Sequence, residues 1–213
     1  MPMMVDVSDV HGLLAGIAQR HFREHAVREV DTLASFMCTV KAKATMSGEW
    51  YQWKKVSKYV ASGHQLFRSS APNYNIREGD RSQRLTAPAV KFLTDQGIDS
   101  IISFNEFSYR DDEKKLLADA KISYLHFSLE DYAAPTLAQL ESAITFFTDP
   151  KQHSTLVHCG FGHGRTGTGV TALQLAATEG DNPTESEWMN ENYVEEPVQM
   201  EVLRKLRGKL GKS

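Results

Sequence analysis

The chain has 213 residues, 41% hydrophobic and 24% charged, with a formal net charge of −3, which gives room for one domain with a substantial core plus a smaller appendage. The slightly acidic balance excludes general attraction to nucleic acid or anionic lipid, so affinity for an anion has to be local. No apolar run reaches the length of a membrane span, which excludes stable insertion, and Met1-Pro2-Met3-Met4 begins nothing like a secretory signal.

In chain order, apolar residues recur at helical spacing from Val5 to Met46, which predicts amphipathic helices. Arg20, His21, Arg23, His25 and Arg28 crowd their polar side and read as a solvated face, with docking to a partner as the functional alternative. Cys38 and Cys159 are the only cysteines; two thiols so far apart fit a reducing, cytoplasmic compartment and a working cysteine better than a disulfide. Met46-Ser47-Gly48-Glu49 reads as a break, and Trp50, Tyr51 and Trp53 as aromatic surface seating this segment on the next domain. The expected division is an N-terminal helical extension, 1–59, and a second domain, 60–213.

From there strand and helix signals alternate. Residues 64–70 read as a short strand, 86–96 as a helix capped by Thr86 and stopped by Gly97, and 98–104 as a buried strand. Next come a helix over 111–121 and a strand over 122–129. Thr136-x-x-Gln139 is a capping box for a helix with Leu137, Leu140, Ile144 and Phe147 inward, and 154–158 is the central strand. A helix over 165–179 ends at Gly180, Thr184-x-x-Glu187 is a second capping box, and a last helix starts near Pro197 with Val198, Val202, Leu206 and Leu210 on one side. This pattern predicts an α/β fold, a central mostly parallel sheet flanked by helices, with ligand sites beyond the carboxyl ends of the strands.

The stretch His158-Cys159-Gly160-Phe161-Gly162-His163-Gly164-Arg165-Thr166-Gly167 joins the central strand to a helix. A helix N-terminus offers free N–H groups and the positive end of the dipole, so a loop wrapped onto it is suited to phosphate. Gly160, Gly162, Gly164 and Gly167 let backbone amides close in. The dipole and Arg165 favour a thiolate at Cys159. Arg165 supplies a planar fork for phosphate oxygens, Thr166 a hydroxyl for the departing sulfur, and His158 an anchor below the loop. Gly160, Phe161, Gly162, His163, Gly164 and Arg165 are the expected phosphate-binding residues. A buried structural cysteine beside a glycine-rich turn would leave the Arg, the Thr and the glycines in register unexplained.

His-Cys, five residues, then Arg-Thr-Gly resembles the signature of the cysteine-dependent protein tyrosine and dual-specificity phosphatases, more than the rhodanese-like fold with its own Cys and Arg loop. The resemblance covers about residues 60–210. Leu66-Phe67-Arg68-Ser69-Ser70-Ala71-Pro72 is similar to the Tyr-Arg-Ser-x-x-Pro opening of compact members, where the Arg is structural. It implies hydrolysis of a phosphate monoester through a phosphocysteine, with neither metal nor cofactor. The leaving oxygen needs a proton and the intermediate an activated water. Asp131, four residues before Pro135 in Ser128 to Thr136, matches the family's general-acid loop, with Glu130 as the alternative. A family Gln that positions the water falls on Gln199, or in an earlier register on Glu195.

Phosphoinositide-specific members carry loop lysines; here Gly160 stands at the first such position and His163 at the second. The expected substrate is therefore a phosphotyrosine protein, with phosphoserine and phosphothreonine as further substrates. A phosphoinositide is the alternative, and a non-catalytic phosphoprotein-binding module a third, disfavoured because Cys159, Arg165 and Asp131 are all present. An extension without a standard signal also fits a bacterial effector delivered into a host cell.

Overall fold

The computed structural model describes residues 49–211. The helices expected before residue 46, their docking surface and Cys38 lie outside the described residues. Five strands form one sheet: β1 (Lys54–Val56), β2 (Gln65–Ser69), β3 (Ser100–Ser103), β4 (Ser123–His126) and β5 (Ser154–His158), in the order β1-β2-β5-β3-β4. β1 is antiparallel to β2 and every other pairing is parallel, as the alternation of strands and helices predicts. The helices among the described residues are α1 (Ala87–Asp95), α2 (Asp111–Asp119), α3 (Leu137–Phe147), α4 (Gly164–Ala177), α5 (Glu185–Asn190) and α6 (Pro197–Leu210).

The punctuation signals act where they stand. Thr86 Oγ1 accepts the Ala89 N–H at 3.2 Å, and the capping boxes at Thr136 and Thr184 are both formed. Each cap satisfies donors that a helix start leaves open. Successive strand residues face opposite sides: Leu66, Ile102 and Val157 pack with Leu140, Phe147, Leu173 and Leu203, whereas Phe67, Ile101 and Leu156 pack with Val90, Leu93 and Leu117. Both faces of the central strands are thereby covered.

Two expectations change. Val198, expected inward, is 52% exposed, while Val202 and Leu206 are buried, because the inward stripe of α6 runs through Gln199, Val202, Leu203 and Leu206 and Val198 falls beside it. β1 was not predicted, since Lys54-Lys55-Val56 lacks apolar alternation; it is an edge strand, where lysines are common. The boundary expected near residue 60 lies after β1, within this same sheet, and Trp50 is 1% exposed with its indole N–H donating to Ala89 O at 3.2 Å.

The carboxyl ends of β3, β4 and β5 share one edge of the sheet, so the segments after His126 and after His158 emerge side by side.

Candidate active site

At the end of β5, His158 is fully buried, with Nδ1 3.0 Å from Cys159 O and Nε2 2.9 Å from the Tyr109 hydroxyl. A carbonyl only accepts, so Nδ1 carries the proton and Nε2 accepts the Tyr109 O–H. Burial pushes His158 down to about 4, which keeps the imidazole neutral in this tautomer at neutral pH. His158 thus joins the Cys159 peptide to Tyr109, just before α2.

Cys159 is 2% exposed, and the Gly162 N–H donates to its Sγ at 3.3 Å. Gly162 has φ +100, and an added Cβ would lie 2.8 Å from the Ser69 and Ser70 backbone. A side chain is excluded there on both counts. The loop's carbonyls are held from outside: Gly160 O accepts from Ala71 N–H at 2.8 Å and Gly162 O from Arg68 Nη2 at 2.7 Å. Within a trans peptide the C=O and N–H oppose each other, so these bonds turn the Phe161 and His163 N–H groups the other way. Gly167 serves packing rather than the loop, since a Cβ there would come 2.1 Å from Asn192 O.

Arg165, 2% exposed, is gripped from several sides. Nη1 donates to Asp80 Oδ2 at 2.6 Å and to Leu129 O at 2.8 Å; Nη2 donates to Asp80 Oδ1 at 3.0 Å and to Asp131 Oδ1 at 2.7 Å. Burial pulls the Arg165 pKa down, but the negative Cys159, Asp80 and Asp131 outweigh it and hold the group well above its ordinary value. Asp80 is 7% exposed and also accepts the Glu106 N–H at 2.9 Å. A Cβ on Gly160 would meet Asp80 Oδ1 at 1.9 Å, so the first loop glycine is what admits this carboxylate.

Asp131 stands on the segment after β4, its side chain 57% exposed, and reaches the loop only through Arg165. Glu130 is exposed, and its carboxylate makes no hydrogen bond or ion pair among the described residues. Gln199 is fully buried and committed: its Oε1 accepts the Glu195 and Glu196 N–H groups at 3.2 Å each, and Nε2 donates to Ala133 O at 3.1 Å. Glu195 is the nearer to the loop, accepting the Gly164 N–H at 3.0 Å with His163 Nδ1 3.7 Å away. The His163 imidazole, then the Gly164 N–H, hold its carboxyl below the usual carboxylate range despite partial burial. Thr166 Oγ1 is buried with no hydrogen-bond partner among the described residues, so the bond expected to the sulfur is not made here.

Residues 78–179 match the family model described as "Polymorphic toxin system, DSP-PTPase phosphatase". Over those residues the chain is similar to phosphatase domains of the DSP-PTPase type. Solved structures share its fold: Tk-PTP at 21% identity (TM-score 0.53, covering 74% of this chain and 95% of that one), kinase-associated phosphatase KAP at 19% (0.56; 74% and 93%), and PTPMT1 in complex with PI(5)P at 19% (0.53; 74% and 96%). No curated protein sequence matches the chain.

Sequence reasoning missed Asp80, Tyr109 and Tyr193 in this candidate site. Asp80 lies in the polar stretch Arg77-Glu78-Gly79-Asp80-Arg81, which carries no local signal of a buried carboxylate. Its partner is 85 residues away.

Proposed function

We propose that this DSP-PTPase domain hydrolyses phosphotyrosine in proteins, with phosphoserine and phosphothreonine as slower substrates, through a phosphocysteine. The observation that carries the reading is a cysteine sulfur receiving a loop N–H at 3.3 Å while Arg165, six positions on, presents its guanidinium at the same loop with a carboxylate from the next segment upon it. Phosphate takes over the Arg165 Nη2 contact now held by Asp131. The Cys159 thiolate attacks phosphorus, the S–P bond forms as the ester P–O bond breaks, and Asp131 as the acid gives its proton to the departing oxygen. Asp131 then accepts a proton from water, whose oxygen attacks phosphorus and releases the sulfur. The Thr166 hydroxyl, without a hydrogen-bond partner among the described residues, then donates to that sulfur.

An aromatic rim supports an aryl ester. Phe161 stands edge-on to His163, centroids 4.8 Å apart, His163 stacks on Tyr193 at 4.5 Å, and Tyr132 and Tyr193 are 64% and 41% exposed. The alternative, a phosphoinositide, draws support from PTPMT1 and its PI(5)P. Action in the cytoplasm, after delivery as an effector, draws support from the polymorphic-toxin description of the matched family.

One panel tests the reading: phosphotyrosine, phosphoserine and phosphothreonine peptides against phosphoinositides, with wild type and Cys159→Ser. Phosphotyrosine turnover highest in the wild type, and binding without turnover in the variant, is the expected result. Higher kcat/KM for phosphoinositides would replace the substrate. Binding without turnover in the wild type would make it a phosphoprotein-binding module.

A further inference from the structure

Lys54 of β1 stands directly opposite Arg68 of β2 in the strand register. Directly opposed residues in an antiparallel pair lie about 5 Å apart, and like charges there repel. Arg68 is 3% exposed, and among the described residues no carboxylate lies within ion-pair distance of either cation. Its guanidinium donates to Asn192 O at 2.8 Å and Gly162 O at 2.7 Å; these satisfy N–H groups but bring no negative charge. Burial pulls its pKa down to about 10. Edge lysines commonly protect a strand from pairing with another chain. Yet Lys55 and Lys58 are occupied by Gln65 and Glu191, and protection does not require a cation opposite a buried arginine.

Lys54 and Arg68 line a cleft of about 210 Å³ whose other walls are Gln52, Trp53, His163 and Tyr193. None is acidic. Tyr193 has φ +58, a left-handed backbone that a bulky residue adopts only under constraint. Its ring lies flat on His163, 11° between planes, and 5.2 Å from the Arg68 guanidinium. The cleft and the catalytic loop share His163, and Gly162 ties them together: its N–H donates to the Cys159 sulfur and its carbonyl oxygen accepts from Arg68.

We propose that this cleft is a second anion subsite, receiving a phosphate or carboxylate carried a few residues from the scissile phosphotyrosine on the same peptide. It rests on the phosphatase reading above. Glu195 reaches only the His163 side of the cleft, at 3.7 Å from Nδ1; two cations with no carboxylate within ion-pair distance gain from an anion, and the aromatic walls accept the peptide around it.

The test compares three phosphotyrosine peptides, with neutral neighbours, with glutamates, and with a second phosphorylated residue, in the wild type and in Lys54→Gln. Wild type should favour the anionic peptides, and Lys54→Gln should lower that preference about fivefold, through KM, as expected for one lost charge-assisted contact. A lowered preference for the doubly phosphorylated peptide alone identifies phosphate as the ligand, and for both anionic peptides admits carboxylate. Equal preference in the two proteins would overturn the subsite. Calorimetry of the same peptides on Cys159→Ser with and without Lys54→Gln reads the subsite without turnover, so a protein that hydrolyses nothing still separates the two readings.

Discussion

Asp80 and Arg165 meet through two parallel hydrogen bonds, 2.6 and 3.0 Å long, both side chains buried beneath the loop. The carboxylate accepts one hydrogen bond from each terminal nitrogen and so fixes the plane and rotation of the guanidinium. Arg165 Nε makes no hydrogen bond among the described residues, which leaves the Nε and Nη2 edge to meet a phosphate once Asp131 lets go.

Asp80→Asn should therefore damage both stability and catalysis. Breaking a buried ion pair from one side costs about 3–5 kcal/mol, because the other charge stays buried. A misplaced guanidinium costs on the order of 100-fold in rate. Urea unfolding and aryl phosphate kinetics on one preparation read both. Unimpaired kcat/KM in a destabilised variant would mean that the loop alone orients Arg165.

Asp131→Ala should slow turnover by about 10²–10⁴, the usual range for a general acid, whereas Glu130→Gln, altering a carboxylate without contacts, should leave it within about twofold. Removing Asp131 also frees Arg165 Nη2, so inorganic phosphate should inhibit Asp131→Ala more strongly than wild type. If Glu130→Gln proves the slower of the two, the acid is Glu130.

The strands, helices and caps of the sheet were legible because each depends on a few neighbouring residues, such as Thr86 before Ala87-Pro88 or Thr136 three residues before Gln139. The loop from His158 to Gly167 stood out for the same reason, being one continuous stretch. Asp80, Tyr109 and Arg68 hold that loop from separate segments, and their roles exist only through tertiary contact. β1 escaped because an edge strand needs no apolar alternation. The loop glycines looked alike in sequence, yet Gly162 alone among them takes a positive φ; Gly160 and Gly167 are there for what approaches them.

His158 makes stability depend on pH. Its folded pKa, about 4 against an ordinary 6.5, means that the unfolded chain binds its proton first as pH falls. The contribution is complete above about pH 6.5 and declines as pH drops toward 4, by about 3 kcal/mol at most. His158→Asn lacks this term, so its deficit against wild type in urea unfolding should be larger at pH 7.5 than at pH 4.5. A deficit equal at both values would mean that His158 is not held neutral by the fold.

Gln199 and Glu195 can be told apart by what each does to the two chemical steps. The buried Gln199 amide holds Ala133 O at 3.1 Å, two residues beyond Asp131, and so ties down the segment that carries Asp131. Gln199→Ala should destabilise the fold by about 1–3 kcal/mol through unpaired buried groups. Its kcat should fall most with poor leaving groups, which depend on a well-placed acid. Glu195→Gln keeps that tie and neutralises the carboxylate on the Gly164 N–H, so inorganic phosphate should bind it more tightly with little change in leaving-group dependence. A water-positioning Gln199 predicts a different pattern: leaving-group dependence unchanged, and phosphocysteine accumulating after rapid mixing and acid quench. Accumulation in Gln199→Ala would return the residue to the hydrolytic step, and accumulation in Glu195→Gln would assign the water to the carboxylate nearer the loop.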